Sequence, residues 1–272
     1  MQQRGRRSGG GPSLAESSPV DDSPIASEAA PLLTFAGVGK RFPDGTTALD
    51  RVDLRVPAGE FVSVIGPSGC GKSTLLRIAS DLTKASDGTV DLRTRKIGYV
   101  FQDPTLLPWR SVQANVELLG ELRGLPKEER RRRAGNAIRL VGLSEFADHR
   151  PRALSGGMRM RVSLARSLTL QPELFLLDEP FGTLDEITRE RLNDELLGLF
   201  LTQRFAALFV THSVIEAVYL STQVVVLSAR PGRVLDHFEV PFRYPRAPEL
   251  RFDPAFTKVA ARVSACLRGA AP

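Results

Sequence analysis

The apolar positions of this chain change period several times, and the changes divide it into elements. Between residues 32 and 65 the run through Leu49, Val52, Leu54 and Val56 approaches alternation. A period of two places such side chains on one face of a strand. Turn residues such as Pro43, Asp44 and Gly45 interrupt the region, so it reads as short strands in a small antiparallel β lobe. Further on, apolar runs at 61–65, 97–101, 174–178, 206–211 and 223–228 are too short and too continuous for surface helices. They read as buried strands. Longer helical stretches separate them, near 73–80, 112–122, 128–141, 185–201 and 214–220, and the interval from about 103 to 170 is rich in helix. Strands alternating with helices predict an α/β fold with a mostly parallel, doubly wound sheet, which takes its ligand at the carboxyl ends of the strands. No internal repeat is evident.

Residues 1–31 are dominated by Gly, Pro and Ser and contain no aromatic residue. Too little apolar material is present to offset the entropy of ordering, so a disordered tail is expected there. Arg4, Arg6 and Arg7 precede no apolar h-region, and Glu16, Asp21 and Asp22 argue against a transit peptide. The longest apolar run, 205–210, is far shorter than the roughly 20 residues that span a bilayer. Cys70 and Cys266 are the only cysteines, which leaves no disulfide framework or zinc pattern and fits a reducing cytoplasm.

The net charge of +6 admits nucleic acid, an anionic membrane surface or plain solubility as its meaning. The arginines at 130–133 follow Glu128 and Glu129, at spacings that allow i, i+4 pairs with Arg132 and Arg133. With no aromatic residue interleaved, the run reads as a solvated helix face, and no nucleic-acid partner is expected.

Chemistry concentrates where strands end. Directly after the apolar run 61–65 stands Gly66-Pro67-Ser68-Gly69-Cys70-Gly71-Lys72-Ser73-Thr74, which has the spacing G-x-x-x-x-G-K-[ST]. Glycines let a backbone curl with its N–H groups inward, and the following helix turns its positive end to the same point. A Gly-rich turn is the plain alternative, but the strand before and the helix after are the context a phosphate cradle requires. Lys72 can reach β and γ phosphates, and the Ser73 hydroxyl can take a Mg²⁺ position, so the expected ligand is a nucleoside triphosphate, ATP, with Mg²⁺.

The strand 174–178 ends in Asp178 and Glu179. Consecutive strand residues face opposite ways, so the two acids can divide the work: Asp178 in the metal shell, Glu179 orienting the attacking water. A second helix start, Leu154-Ser155-Gly156-Gly157-Met158, has a Ser N-cap and two glycines. Ser-Gly-Gly also occurs as a plain loop. As an anion site it would be one more than a single triphosphate needs, which points to nucleotide held by another subunit.

Phosphate loop, Gln102 after Tyr99-Val100-Phe101, LSGGM, LLDEP, Gly182-Thr183-Leu184-Asp185 and Thr211-His212-Ser213 resemble, in that order, the ATP-binding cassette (ABC) ATPases over roughly residues 32–240. The resemblance implies a P-loop NTPase of ABC type, with a RecA-like sheet core, an antiparallel lobe, a helical subdomain at about 103–163 and a C-terminal extension at 241–272. It implies that Phe42 stacks on adenine, although a strand-end core residue would look the same. Gln102 would touch metal and water and link the core to the helical subdomain. Ser155, Gly156 and Gly157 would meet the γ phosphate across a head-to-tail homodimer, and Asp185 would lie in the loop between the two sites. His212 resembles the switch histidine on the γ phosphate; a lone His after a strand is otherwise structural.

Leu106-Leu107-Pro108-Trp109-Arg110-Ser111-Val112, Met158, and Leu227-Ser228-Ala229-Arg230-Pro231-Gly232-Arg233 resemble the nitrate, sulfonate and taurine importer ATPases. Met160 departs from the Gln usual in those relatives, and Asp81 from the Gly that often precedes Leu82. The implied protein sits peripherally on the cytoplasmic face of the membrane. It is attached to a permease, is linked through it to an extracytoplasmic solute-binding protein, and serves uptake of a small anion. The surface from Gln102 to Trp109 is expected to receive the permease, against the alternative that Trp109 is buried. A soluble cassette acting on nucleic acid or ribosomes, and an exporter ATPase, are the competing readings.

Overall fold

A computed structural model of the protein describes residues 30–269; all but the last residues of the expected tail lie outside them. Two long strands open the fold, β1 (Pro31–Arg41) and β2 (Thr47–Pro57). They pair antiparallel across a tight turn in which Asp44 Oδ1 accepts from the Thr46 N–H at 2.9 Å and the Phe42 N–H donates to the Thr46 carbonyl at 2.9 Å. After β3 (Phe61–Ile65) and α1 (Lys72–Ala79) the chain returns as β4 (Asp87–Leu92), which pairs with the free edge of β1. Pro31 already belongs to β1, one residue inside the expected tail.

The remaining strands, β5 (Ile97–Val100), β6 (Leu174–Asp178), β7 (Ala206–Thr211), β8 (Gln223–Leu227) and β9 (Val234–Glu239), join β3 in a six-stranded sheet ordered β5-β6-β7-β3-β8-β9. All neighbours are parallel except β9, which runs antiparallel to β8. Residues 61–65, 174–178 and 206–211 are buried throughout, as strands covered on both faces must be. Val62, Val64, Leu176 and Leu208 meet the antiparallel sheet and α1 on one side; Phe61, Phe175, Leu177 and Phe209 meet helices on the other.

Those helices include α2 (Val112–Leu122), α3 (Lys127–Leu140) and α4 (Gly156–Leu168), which contact one another in the predicted helical region. On α3 the solvated face is only partly realised: Arg131 and Arg132 are exposed, Arg130 and Arg133 are half-buried, and Glu129 rather than Glu128 bonds both Arg132 and Arg133. α5 (Glu186–Gln203) outruns its expected end and stops at Arg204, which caps it in the left-handed conformation at φ 53°. α6 (Val214–Leu220) links β7 to β8, and α7 (Pro254–Gly269) seats Phe256, Ala260 and Val263 on the core, one stripe at helical spacing. Asp81 has φ 60°, a backbone state that glycine adopts without steric cost. Met160 is buried in the core, so its departure from Gln is a packing substitution.

Candidate functional site

Strand order builds the site. β6, β7 and β3 are parallel neighbours, and strands in a sheet lie about 4.8 Å apart. Their carboxyl ends therefore bring the phosphate loop, the Asp178-Glu179 pair and His212 to one edge. Gly71 is the N-cap of α1 at φ 104°, with no side-chain cap, so the first turn turns bare N–H groups and the helix dipole toward that edge. A Cβ at Gly71 would stand 2.8 Å from the Ala48 carbonyl and 2.6 Å from Leu49; only glycine fits.

Lys72 is buried. Its ammonium folds back over the loop, donating to the Gly66 carbonyl at 2.9 Å and the Pro67 carbonyl at 3.1 Å, and lies 3.6 Å from Glu179 Oε1. Ser73 Oγ donates to Asp178 Oδ1 at 2.8 Å. Burial pushes the Asp178 carboxyl up, and the Ser73 bond pulls it partly back. The buried Tyr99 hydroxyl lies beside Asp178 without a hydrogen-bond partner, and burial, then that carboxylate, raises its pKa. Cys70 packs into the core beneath the loop, and burial pushes its thiol up as well, which makes it filler rather than a nucleophile. Ser68 and Gly69 stand exposed at the loop tip, and Thr74 is half-buried on α1.

Glu179 leaves the sheet direction. Its φ of 44° is left-handed, while its N–H donates to the Val210 carbonyl at 2.9 Å and its carbonyl accepts from Gly182 at 3.2 Å. Both backbone anchors hold the strained turn, and the side chain reaches Lys72 through one oxygen and His212 Nδ1 through the other, at 3.4 Å. Such strain is sustained where the surroundings over-determine it. His212 is fixed from behind: Thr211 Oγ1 donates to the buried Glu216 and accepts from the Ser213 N–H at 3.0 Å. Burial raises the Glu216 carboxyl against the opposing pull of Thr211 and Arg189.

The other predicted residues lie around this centre. Phe42 is half-exposed in the β1–β2 turn, with the Lys40 ammonium 5.3 Å from its ring centroid. Gln102 is exposed just past β5. Ser155 caps α4 by accepting from the Met158 N–H at 3.2 Å, with Gly156 and the buried Gly157 forming its first turn. Asp185 caps α5 through the Thr188 N–H at 3.0 Å, a bond that holds its carboxyl below the usual range. Among the described residues no hydrogen bond or ion pair joins Ser155 or Asp185 to Lys72, Ser73 or Glu179. The structure thus gathers one centre within the chain, to which the second helix start is joined by no direct hydrogen bond or ion pair among the described residues.

Two supporting groups carried no motif signal. Arg166, buried on α4, donates to the Pro104 and Thr105 carbonyls, each at 3.0 Å, and so ties this helix to the segment after Gln102. The fully buried Asn115 accepts from the Leu107 N–H at 2.7 Å and donates to the Leu107, Arg110 and Ser111 carbonyls. It shapes the loop from which Trp109 projects, 68% exposed. Both are polar residues spaced within helices, and only their burial reveals the role.

Fold and site together define the P-loop class of nucleotide-binding α/β proteins. The ABC transporter family model matches residues 49–182. The chain is 46% identical over 235 residues to an aliphatic sulfonates import ATP-binding protein of Mesorhizobium japonicum, covering 84% of this chain and 87% of the relative. It is 46% identical over 202 residues to a taurine import ATP-binding protein of Rhizobium johnstonii, covering 72% and 77%. A dimeric ABC transporter cassette, MJ0796, superposes with a TM-score of 0.69 at 33% identity, over 76% of this chain and 98% of that one; a post-hydrolysis dimer of the same cassette, bound to ADP and phosphate, gives 0.68. The chain belongs to the ABC transporter family as an ATP-binding subunit, and it is an ATPase.

Proposed function

We propose that this ATPase powers an importer for a small anion, of the nitrate, sulfonate or taurine kind, from a head-to-tail homodimer docked on a separate permease at the cytoplasmic face of the membrane. The observation that carries the catalytic reading is the convergence of Lys72, Glu179 and His212 at neighbouring strand ends, with all three within 3.6 Å contacts of one another through Glu179. Among the described residues no helix is long and apolar enough to cross a membrane. The names of the sulfonate and taurine relatives support the cargo class.

The residues divide the reaction. The bare N–H groups of the loop and Lys72 bind the β and γ phosphates, and Lys72 exchanges its carbonyl partners for phosphate oxygens as they arrive. Phe42 stacks on adenine. Glu179 accepts a proton from the attacking water, and His212, bonded to the same carboxylate, orients it and contacts the γ phosphate. The Ser73 hydroxyl paired with the buried Asp178 carboxylate is a hard oxygen pair suited to Mg²⁺, with Gln102 as the third candidate. Mg²⁺ takes one or two protein oxygens plus phosphates, so the lack of a larger His/Cys/Asp/Glu cluster among the described residues is consistent with it. When bound, the ion neutralises charge on the phosphates. Ser155, Gly156 and Gly157, which make no bond to Lys72 of their own chain, complete the partner's site.

The test is reconstitution with a permease and solute receptor of the sulfonate and taurine importer kind from the same organism, followed by ATPase assays with each anion. Stimulation by receptor loaded with sulfonate, taurine or nitrate is the expected result. Turnover indifferent to any receptor, with substrate leaving the vesicle lumen-equivalent of the cytoplasm, would assign it to export.

A further inference from the structure

The segment 228–233 supplied a family resemblance but has no part in the reaction described above. In the fold it wraps the outside of the phosphate loop. Ser228 Oγ accepts from the Arg233 N–H at 2.9 Å and donates to the Pro231 carbonyl at 2.9 Å, closing the segment on itself. Gly232 then pairs with β2, donating to the Ala48 carbonyl at 2.9 Å and accepting from the Asp50 N–H at 3.0 Å. Arg233 adds an ion pair to Asp50. The Gly232 backbone is pressed so closely on the phosphate loop that a Cβ there would stand 2.1 Å from the Cys70 carbonyl.

This braced segment presents Arg230 to the loop tip. Arg230 Nε donates to the Gly69 carbonyl at 3.0 Å, and a Cβ on Gly69 would meet the same guanidinium at 3.0 Å. Gly69 has φ 74°, and a glycine flank lets the 69–70 peptide flip at little steric cost. Its other end is held only by the bond from the Cys70 N–H to the Pro67 carbonyl at 3.3 Å. An anion cradle works by turning N–H groups inward and carbonyls outward, so a flipped peptide would oppose phosphate with an oxygen. The Asp44 carboxyl, held down mainly by the Thr46 N–H, is also lowered slightly by the Arg230 charge.

We propose that Arg230 is a positioning residue for ATP binding, locking the Gly69 carbonyl outward and so fixing the phosphate loop in its anion-binding form. The proposal rests on the phosphate-cradle reading of residues 66–74. It acts on binding and not on the chemical step, because Arg230 touches the loop and none of Lys72, Glu179 or His212.

The test measures ADP affinity in Mg²⁺ by calorimetry, and KM and kcat for ATP, in Arg230→Ala, Arg230→Lys and Lys72→Ala. Arg230 is exposed, so both variants should melt within a degree or two of the parent. Arg230→Ala is expected to raise Kd and KM about five- to tenfold, the range for a lost charge-assisted hydrogen bond near solvent, with kcat changed less than about twofold. The effect should persist at 0.5 M salt, because a local bond is screened far less than a distant charge. Arg230→Lys, which keeps the charge but loses the planar Nε donor, should recover only part of the affinity. Parental Kd in Arg230→Ala beside lost binding in Lys72→Ala would overturn the proposal alone. So would full rescue by Lys with an effect that salt abolishes, since Arg230 would then act as a bare charge. Unchanged binding in Lys72→Ala would overturn the cradle reading and the proposal with it.

Discussion

Replacing Asp178 by Asn should move two stabilities in opposite directions. Asp178 is 6% exposed and burial raises its carboxyl pKa above 3.8, with one hydrogen bond, from Ser73, opposing. A group whose folded pKa is raised lends stability below its unfolded value and loses it as pH climbs through the folded value. Asn is neutral at every pH and can still accept from Ser73. The ligand-free variant should therefore gain about 1 kcal/mol at pH 8, the low end for removing a buried charge, and the gain should shrink on acidification. With nucleotide the sign reverses. Ligand at a hundred times its Kd stabilises by about 2.7 kcal/mol. If losing a metal carboxylate weakens binding about a hundredfold, the same concentration only equals Kd and gives about 0.4 kcal/mol. At roughly 2–4 °C per kcal/mol for a chain of this size, ADP with Mg²⁺ should raise the parent's Tm by about 5–10 °C and the variant's by about 1–2 °C. Differential scanning fluorimetry with and without EDTA checks this, since chelation should erase the difference in ligand shift. A variant that is less stable without ligand refutes the buried-charge argument, and one that keeps the full shift with Mg²⁺ refutes the assignment of Asp178 to the metal shell.

Glu216→Gln keeps the acceptor for Thr211 and removes a second buried carboxylate whose pKa burial has raised; urea denaturation should give about 1 kcal/mol more stability at pH 8, fading toward pH 5. Ser155→Phe should retain monomer nucleotide binding and lose turnover. Mixed in equal amounts with Lys72→Ala, it should recover at most about a quarter of parental ATPase, because half the dimers are mixed and each holds one intact site; no recovery, or full activity from a monomer, argues against shared sites. Trp109→Ala should leave Tm and isolated ATPase within error, since the side chain is 68% exposed, while co-purification with the permease falls; loss of folded protein would make Trp109 core.

Much of the fold was legible because fully buried parallel strands leave unbroken apolar runs and the connecting helices leave longer periodic ones. β6, β7, α2 and α6 lie at their expected bounds. β4 and β9 escaped notice because they are edge strands: Asp87, Asp91, Asp236 and Glu239 interrupt any apolar pattern with exposed charge. α7 is amphipathic but follows a Pro-rich stretch at 241–248 that reads as chain end. At the site, motif spacing located Lys72, Asp178, Glu179 and His212, whereas the left-handed turn at Glu179 could not be read from a non-glycine residue. Arg166 and Glu216 were invisible for a different reason. Charged residues on helices are ordinarily solvated, and only tertiary packing turns these two inward.

Glu179→Gln probes whether Glu179 activates the water that cleaves ATP in a dimer closed by nucleotide. The substitution keeps size and hydrogen bonding near Lys72 and His212 while removing the base. ATP affinity should stay within a few-fold of the parent, turnover should fall by roughly a hundredfold or more, and size-exclusion chromatography in MgATP should show a stable dimer that the parent loses as it hydrolyses. Turnover near the parental rate, or a variant that stays monomeric with ATP bound, would contradict the account.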